Sequence, residues 1–436
     1  MSGIFFAIIL VAFLVAGFRE LTWDGLGADS PMEVLSLAVV DSAKASVTLA
    51  LGLVGVMALF LGLMKVAEAG GLLVIIAKVV RPMMVRLFPE VPADHPAMGA
   101  MILNLSANVL GLGNAATPFG IRAMEELDKL NPQKGTATNA MALFLAINTS
   151  SVTLLPTGVI ALRAAAGSTD PAGILPTTLF ATICSTTVAI VSAKFYSRFW
   201  PAPSAADSPA SATAAATQQD VAAPGAESGL DSQTSEGYPT WVSVLVLAAI
   251  LSIVPATILY GAAIAPWIIP GLILGFLTFG LLRGVPIYAS FIEGAKDGFE
   301  VALRIIPYLV AILVAVGMFK ASGAMDLLIQ PLGALTGPLG LPADALPMAL
   351  LRPLSGSGAY GIMADIIQNP AIGPDSYTGY LVTTLQGSTE TTFYVLAVYF
   401  GAVQIRRVRH AMAAALTADL AGIVAAVFIC SLLFGA

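Results

Sequence analysis

Two short polar runs, residues 148–153 and 387–392, interrupt long apolar stretches and carry the side chains most able to bind a ligand. A helix that unwinds inside hydrocarbon frees backbone N–H and C=O groups, and these groups must find new partners. A solute or an ion can be such a partner, with hydroxyl, amide and carboxyl side chains around it. We therefore predict a substrate or ion site formed by Asn148, Thr149, Ser150, Ser151 and Thr153 of the first run and Ser388, Thr389, Glu390, Thr391 and Thr392 of the second.

Glu390 is the residue of these runs with the strongest chemistry. It is an acid near the middle of the apolar stretch 378–403, where a charge costs at least ~2.5 kcal/mol and usually has a function or a partner. A glutamate there could accept hydrogen bonds from a ligand, bind a cation, or carry a proton. We expect H⁺ or Na⁺ as a coupling ion, and no metal cofactor. The alternative is a neutral, hydrogen-bonded glutamic acid with a structural role.

Asp419 lies inside the last apolar stretch, 413–433. We predict that it supports Glu390 from behind, and the alternative is an acid that reaches for the membrane surface. The hydroxyls of the two runs have an alternative as well, because Ser and Thr often bond back to their own helix.

Two other apolar stretches, 97–118 and 346–362, are interrupted by polar residues and glycine. They predict re-entrant hairpins or broken helices, which are tolerated at membrane depth where they line a cavity. We expect them to close the cavity from its two ends as a gate. The alternative is that their polar residues only terminate and cap helices. The predicted gate consists of Asn104, Asn108, Asn114, Ser355 and Ser357.

The composition identifies the setting of these residues. Of the 436 residues, 57% are hydrophobic and 11% are charged, and the mean hydropathy is +0.88. Soluble domains carry roughly 25% charged residues, so we predict an all-α protein that crosses a membrane several times. A net charge of −6 argues against a nucleic-acid-binding surface, and two cysteines argue against a disulfide scaffold. Residues 201–239, rich in Ala, Ser, Pro and acids, predict a disordered linker.

The halves on either side of this linker, residues 1–200 and 240–436, repeat each other. DSAKASVTLALGL from Asp41 matches EGAKDGFEVALRI from Glu293, PADHPAMGA from Pro92 matches PADALPMAL from Pro342, and a polar run follows in both halves. This order indicates the duplication of one membrane unit. With both hairpins re-entrant, an odd number of crossings separates the copies, so the second repeat is inverted. With the N-terminus and the linker in the cytoplasm, most Lys and Arg residues lie on the cytoplasmic side, as the positive-inside rule expects.

Catalytic motifs are lacking in the sequence. It has no H-E-x-x-H, no G-x-S-x-G and no Walker loop, and its two histidines lie outside the polar runs. We therefore predict that the chain is not an enzyme, and that any transport is passive or ion-coupled.

Several longer motifs resemble a known family. LGLGNAATPFGIRAMEELDKLN from Leu110 and ATNAMALFLAINTSSVTLLPTGVIALRAAAGS from Ala137 resemble spore maturation protein A. RPLSGSGAYGIM from Arg352 and QGSTETTFYVLAVYFGAVQIRRVRHA from Gln386 resemble spore maturation protein B. The resemblance implies a fusion of the two, in which residues 1–200 and 240–436 each carry a Gate domain, also called the nucleoside recognition domain. It also implies a location in a bacterial inner membrane.

Together these features predict a secondary transporter or permease for a small polar solute, for example a nucleoside-like one, with its site at the repeat interface. The alternative is a non-transporting membrane scaffold or regulator with a spore-maturation-like role. The expected partners are the lipid bilayer, the solute and, in a homo-oligomer, further copies of the chain, but no nucleic acid.

Overall fold

The computed structural model describes residues 2–25, 29–200 and 237–435. These residues are almost entirely helical, and no β-strand occurs among them, which confirms the all-α fold class. The predicted linker, residues 201–239, lies almost wholly outside the described residues.

The first half folds into a series of helices separated by short turns. Its helices are α1 (Ser2–Leu21), α2 (Pro31–Ala69), α3 (Leu72–Leu87), α4 (Pro96–Leu110), α5 (Gly113–Lys129), α6 (Asn139–Thr149), α7 (Thr157–Ala165) and α8 (Leu175–Tyr196). The amphipathic α3 and the α4–α5 hairpin lie between the long α2 and the broken pair α6–α7.

The second half follows a related order. Its helices are α9 (Thr240–Leu282), α10 (Ile287–Ala321), α11 (Ala324–Thr336), α12 (Leu346–Leu351), α13 (Gly356–Gln368), α14 (Tyr377–Ser388), α15 (Thr392–Ala402) and α16 (Ala411–Phe434). Non-helical dihedral angles at Tyr260 kink α9 between the two apolar stretches that the sequence shows there.

Three helices in the described part of the chain, α2, α8 and α16, are long and apolar enough to cross a membrane. A fourth candidate is the pair Pro331–Leu339 and Ala343–Leu351, which bends by 104° as a broken span or a re-entrant loop. Shorter apolar helices such as α4 and α6 complete the bundle. The chain is therefore a multi-pass helical membrane protein with broken helices.

The long helices α2 and α10, which carry the first matched motif of each half, pack against each other in opposite directions. A Cβ placed on Gly317 would lie against Ser42, whereas one on Gly294 would lie against Leu61. Residue numbers thus rise along one helix as they fall along the other. An inverted repeat requires this arrangement, because a two-fold axis in the membrane plane makes equivalent helices antiparallel.

The last helices of the two halves, α8 and α16, form a second antiparallel pair. The Ser192 hydroxyl approaches the Ala414 carbonyl oxygen at 3.4 Å, and the rings of Phe180 and Phe428 lie 6.0 Å apart. Both pairs are antiparallel, which a two-fold axis in the membrane plane requires of equivalent helices. This geometry matches the inverted relation that the sequence predicts.

Close backbone approach between α2 and α10 gives a first testable prediction. A Cβ on Gly294 would lie 2.4 Å from the carbonyl oxygen of Leu61 and 3.0 Å from the Cα of Gly62. Because backbone atoms cannot move aside without shifting the helix, we expect Gly294→Ala to lower the free energy of unfolding by about 1–3 kcal/mol. The melting temperature of the purified protein measures this change.

The matched control is Gly55→Ala on α2, where nothing lies within 4 Å of the added Cβ. This variant should melt at or above the wild-type temperature, because alanine favours a helix over glycine. Equal melting temperatures for the two variants would contradict the close approach.

Candidate functional site

Both polar runs are breaks between helices. The stretch that contains the first run is divided into α6, which ends at Thr149, and α7, which begins at Thr157. The second is divided into α14, which ends at Ser388, and α15, which begins at Thr392. The two breaks touch, because the backbone N–H of Glu390 donates to the carbonyl of Thr149 at 2.8 Å. The expected meeting of the two runs is therefore present.

Many hydroxyls of the two runs donate to nearby main-chain carbonyls of their own segment, which is the alternative that the sequence left open. Their predicted binding role can therefore use only the remaining lone pairs. The donor and acceptor pairs are Thr149 to Ala146, Ser150 to Ala146, Ser151 to Asn148, Thr153 to Ser151 and Ser388 to Leu385.

A cavity of about 240 Å³ lies beside the two breaks. Both halves contribute to its wall, which includes the end of α4, the segment before and within α7, and the α14–α15 break. Three of the predicted residues reach it: Asn108, Thr153 and Glu390. Four polar residues that the sequence analysis did not select line it as well, namely Thr157, Arg352, Tyr360 and Gln386.

Arg352 holds the backbone of the second break in place through hydrogen bonds. Its side chain is buried, and the guanidinium donates to the carbonyl of Gln386 at 3.1 Å, to the hydroxyl of Thr391 at 3.0 Å and to the carbonyl of Thr389. These carbonyls are among the acceptors freed where α14 ends. The same guanidinium lies 3.8 Å from the Glu390 carboxylate, an ion pair without a hydrogen bond. Arg352 therefore uses its donors on the protein itself.

Two residues of the cavity wall, Gln386 and Glu390, carry side-chain oxygens that can accept hydrogen bonds. The Gln386 side-chain oxygen is buried and has no hydrogen-bond partner within the described ranges. The Glu390 side chain is 55% exposed and lines the cavity wall. Tyr360 differs, because its hydroxyl already donates to the Gly158 carbonyl at 2.9 Å. The position of Gln386 one residue before the second run was the signal that could have identified it.

The asparagines of the first half form a chain that crosses to the second half. Asn108 donates to the side-chain oxygen of Asn148 at 2.9 Å, and the Tyr399 hydroxyl approaches the same oxygen at 3.4 Å. Asn104 donates to Tyr399 at 3.1 Å and to the Ala116 carbonyl at 2.7 Å. Asn148 and Asn104 thus hold the first break to α15 and the α4–α5 hairpin, whereas Asn108 also reaches the cavity.

The other predicted gate residues lie elsewhere. Ser355 caps the N-terminus of α13 by accepting from the Gly358 N–H at 3.0 Å. Ser355 and Ser357 line a different, apolar cavity of about 550 Å³ between α1, α10, α11, α12 and α13. The structure therefore does not bring these two serines to the polar cavity, and helix capping accounts for Ser355. The side chain of Asn114 lies outside the described residues.

Asp419 lies behind the second break. The Thr392 hydroxyl, at the start of α15, donates to its carboxyl group at 2.7 Å. Asp419 is 3% exposed. It therefore contacts the second break through Thr392 and not through Glu390.

Loops of the two halves join on both faces of the bundle. On one face, Arg163 pairs with Asp375 at 3.0 Å. On the other, the Gly135 carbonyl accepts from the backbone of Arg406 at 2.9 Å and of Arg407 at 3.0 Å. Each contact joins the loop before one broken pair to the C-terminal end of the other, as an inverted repeat requires. Both Arg163 and Arg352 are buried charges, which the charge distribution along the sequence does not show.

Comparison with known proteins identifies the family. The family model described as nucleoside recognition (Gate) matches residues 50–166 and 302–406, which together form just over half of the chain. Spore maturation protein B of Bacillus subtilis (strain 168) is 48% identical over 167 residues, which are 38% of this chain and 93% of that protein. Spore maturation protein A of the same organism is 48% identical over 159 residues, which are 36% of this chain and 81% of that protein.

Two solved structures show a weaker likeness. An outward-facing structure of a CNTnw variant has a TM-score of 0.46 and 12% identity, over 98% of this chain and 99% of that one. The YdaH transporter of Alcanivorax borkumensis has a TM-score of 0.36 and 16% identity, over 99% and 98%. Scores this low add nothing about fold or activity. The family match and the two relatives are sufficient, and the chain belongs to the Gate (nucleoside recognition) family as a fusion of segments similar to spore maturation proteins A and B.

Proposed function

We propose that the protein is a secondary transporter or permease that moves a small polar solute through the cavity at the two helix breaks. The observation that carries this proposal is the cavity wall, which contains the accessible Glu390 carboxylate and Gln386, whose buried side-chain oxygen has no hydrogen-bond partner among the described residues. An unpaired buried polar group costs about 1–3 kcal/mol. A ligand that supplies the missing hydrogen bond is therefore the simplest explanation for the unpaired Gln386 oxygen. Inverted repeats with broken helices near the midplane are also the usual setting of a transport site.

The hydrogen-bonding groups that the protein leaves unused in the cavity wall indicate the chemistry of the solute. Arg352 has its donors on Gln386, Thr389 and Thr391, so the groups left for a ligand are mainly acceptors. They favour a solute with hydroxyl, amino or amide donors, and a nucleoside-like molecule has such groups. The cavity of about 240 Å³ is smaller than the ~300–1,000 Å³ of drug-sized ligand sites. In this proposal Glu390 binds the solute or the coupling ion, H⁺ or Na⁺.

The competing proposal is a membrane scaffold or regulator, which the names of the spore maturation relatives would fit. A scaffold gains nothing from a polar cavity where the two helix breaks meet, whereas a transporter needs one. We further propose that the protein lies in a bacterial inner membrane, with the N-terminus and residues 201–239 in the cytoplasm, as the charge distribution suggests.

A binding experiment tests the proposed site, and it is the second prediction. Purified protein is heated with single compounds from a panel of nucleosides, amino acids, sugars and polyols. A compound present at 100 times its Kd should stabilise the protein by about 2.7 kcal/mol and raise its melting temperature. Glu390→Gln keeps the shape of the side chain, so the unliganded melting temperature should stay near wild type while the shift caused by the compound is lost.

The control is Glu125→Gln, at an exposed position of α5, which should retain the full shift. The active compound is then followed into proteoliposomes that hold the wild type or Glu390→Gln. Transport predicts accumulation only with the wild type. Equal uptake by both proteins would remove Glu390 from the site, and binding without uptake would favour the scaffold.

A further inference from the structure

Asp419 is the most deeply buried carboxyl group near the cavity. It lies in the third turn of α16, with 3% of its surface exposed. One carboxyl oxygen accepts from the Thr392 hydroxyl at 2.7 Å. The other oxygen has no hydrogen-bond partner among the described residues. A single neutral donor is thus the direct support that the described structure gives this group.

An ionised carboxylate does not fit this environment. A buried charge is tolerated when an opposite charge pairs with it and hydrogen bonds satisfy its remaining lone pairs. Arg352 is the buried cation at this break, but its guanidinium donates to Gln386, Thr389 and Thr391 and not to Asp419. A protonated carboxyl group carries no charge and needs fewer partners, so burial in this site favours the acid form.

The neighbouring helices supply no other counter-charge close to Asp419. The α6 helix has no titratable side chain, and the titratable groups on the other helices packed against α16 are a thiol, phenols and one lysine. That lysine lies near the α16 N-terminus, because α8 runs antiparallel and Ser192 contacts Ala414. The residues are Cys184, Lys194 and Tyr196 on α8, Tyr377 and Tyr380 on α14, and Tyr394 and Tyr399 on α15.

Arg352 connects Asp419 to the cavity. It faces the Glu390 carboxylate on the cavity side at 3.8 Å and donates to Thr391, the residue next to the Thr392 whose hydroxyl bonds Asp419. While Asp419 is neutral, Arg352 can stay on the carbonyls of the break and beside Glu390. Once Asp419 loses its proton, two carboxylates compete for one guanidinium. Movement of Arg352 toward Asp419 would release the carbonyls of Gln386 and Thr389 and change the cavity wall.

We propose that Asp419 is a proton-binding site whose occupancy sets the conformation of the α14–α15 break. The proposal deepens the proposed transport function and rests on it for its physiological meaning. Asp419 holds the proton in the conformation described here, releases it to bulk water when the break rearranges, and regains it from water in the next cycle. Glu390 then contacts the solute, and the two carboxyl groups have separate roles.

Infrared spectroscopy of the purified, unliganded protein tests the proton site without any substrate. At neutral pH the wild type should show the C=O stretching band of a protonated carboxyl group. Asp419→Asn should lose this band, and Glu390→Gln should keep it. A spectrum of folded Asp419→Asn that keeps the band, or a wild type without one, would overturn the proposal.

A second pair of variants covers the case in which Asp419→Asn does not fold. Thr392→Val removes the hydroxyl donor to Asp419 and should shift the frequency of the band. Thr187→Val on α8, whose hydroxyl donates within its own helix to Ile183, should leave the frequency unchanged. An unshifted band in Thr392→Val would assign the band to another group and refute the proposal.

The same experiments separate the proton site from transport. If the band behaves as expected but no compound shifts the melting temperature, Asp419 binds a proton and the proposed transport is what fails. If a compound binds and accumulates while the wild type shows no band, transport stands and the proton site is wrong. With both present, solute binding by Asp419→Asn should lose the pH dependence that the wild type shows.

Discussion

Arg352→Met is expected to be the most damaging substitution at the cavity. It removes three donors at once and leaves the carbonyls of Gln386 and Thr389 without their partner. It also leaves the Glu390 carboxylate without the cation 3.8 Å away. Because the Glu390 side chain is 55% exposed, most of the expected loss comes from the two carbonyls left without a donor, at about 1–3 kcal/mol each. We expect a loss of this size in the free energy of unfolding, together with loss of solute binding.

Unfolding by denaturant in detergent measures the change, and two further variants interpret it. Arg352→Lys keeps the charge but not the planar fork that reaches several acceptors, so its stability should lie between those of the wild type and Arg352→Met. Arg198→Met, at an exposed position after α8, should unfold like the wild type. If Arg352→Met unfolds like Arg198→Met, Arg352 does not stabilise the break.

The arrangement of the breaks could be predicted from the sequence for a physical reason. Polar runs inside apolar stretches cannot continue as ordinary lipid-facing helix, and duplicated runs at matching positions must be related by the symmetry of the repeat. The antiparallel packing of α2 with α10 and of α8 with α16, and the hydrogen bond from Glu390 to Thr149, agree with that expectation.

The details of the cavity wall could not be predicted in the same way. Arg352 is held by backbone carbonyls, among them that of Gln386, which are free only because α14 ends at Ser388. Residue type does not reveal which carbonyls are free. Spacing likewise does not show whether a hydroxyl points into a cavity or back to its helix, as Ser388 does toward Leu385. The sequence also does not show that Arg163 is buried, because its acidic partner, Asp375, is far away along the chain.

Arg163 holds the loops of the two halves together on one face of the bundle. It has no exposed surface, donates to the Pro374 carbonyl at 2.7 Å and to the Asp375 carboxylate at 3.0 Å, and lies 4.1 Å above the Tyr380 ring. Asp375 also accepts from the Thr169 backbone N–H at 2.7 Å. The contact closes this face by joining the loop after α7 to the loop before α14.

The protonation of Asp375 makes this contact sensitive to acid. Partial burial would raise the pKa of its carboxyl group, but hydrogen bonds from Ser168 and Thr169 and the charge of Arg163 outweigh it and hold the pKa below its usual value. A carboxyl group with a lowered pKa stabilises the fold at pH values above its unfolded pKa of about 3.9. That stabilisation disappears as the pH falls through the lower pKa of the folded state.

We therefore expect Arg163→Met to lose about 3–5 kcal/mol of stability at neutral pH, because Asp375 and the Pro374 carbonyl lose their shared donor. Asp375→Asn should destabilise as well, and the double variant should lose less than the sum of the two single losses. Below about pH 4 the melting temperature of the wild type should approach that of Asp375→Asn.

The matched control is Asp365→Asn, which removes the partner of the more exposed Lys320. A surface pair of this kind is worth only about 0–1 kcal/mol. Additive losses at Arg163 and Asp375, or equal effects of Asp375→Asn and Asp365→Asn, would show that this face is not held by the buried pair.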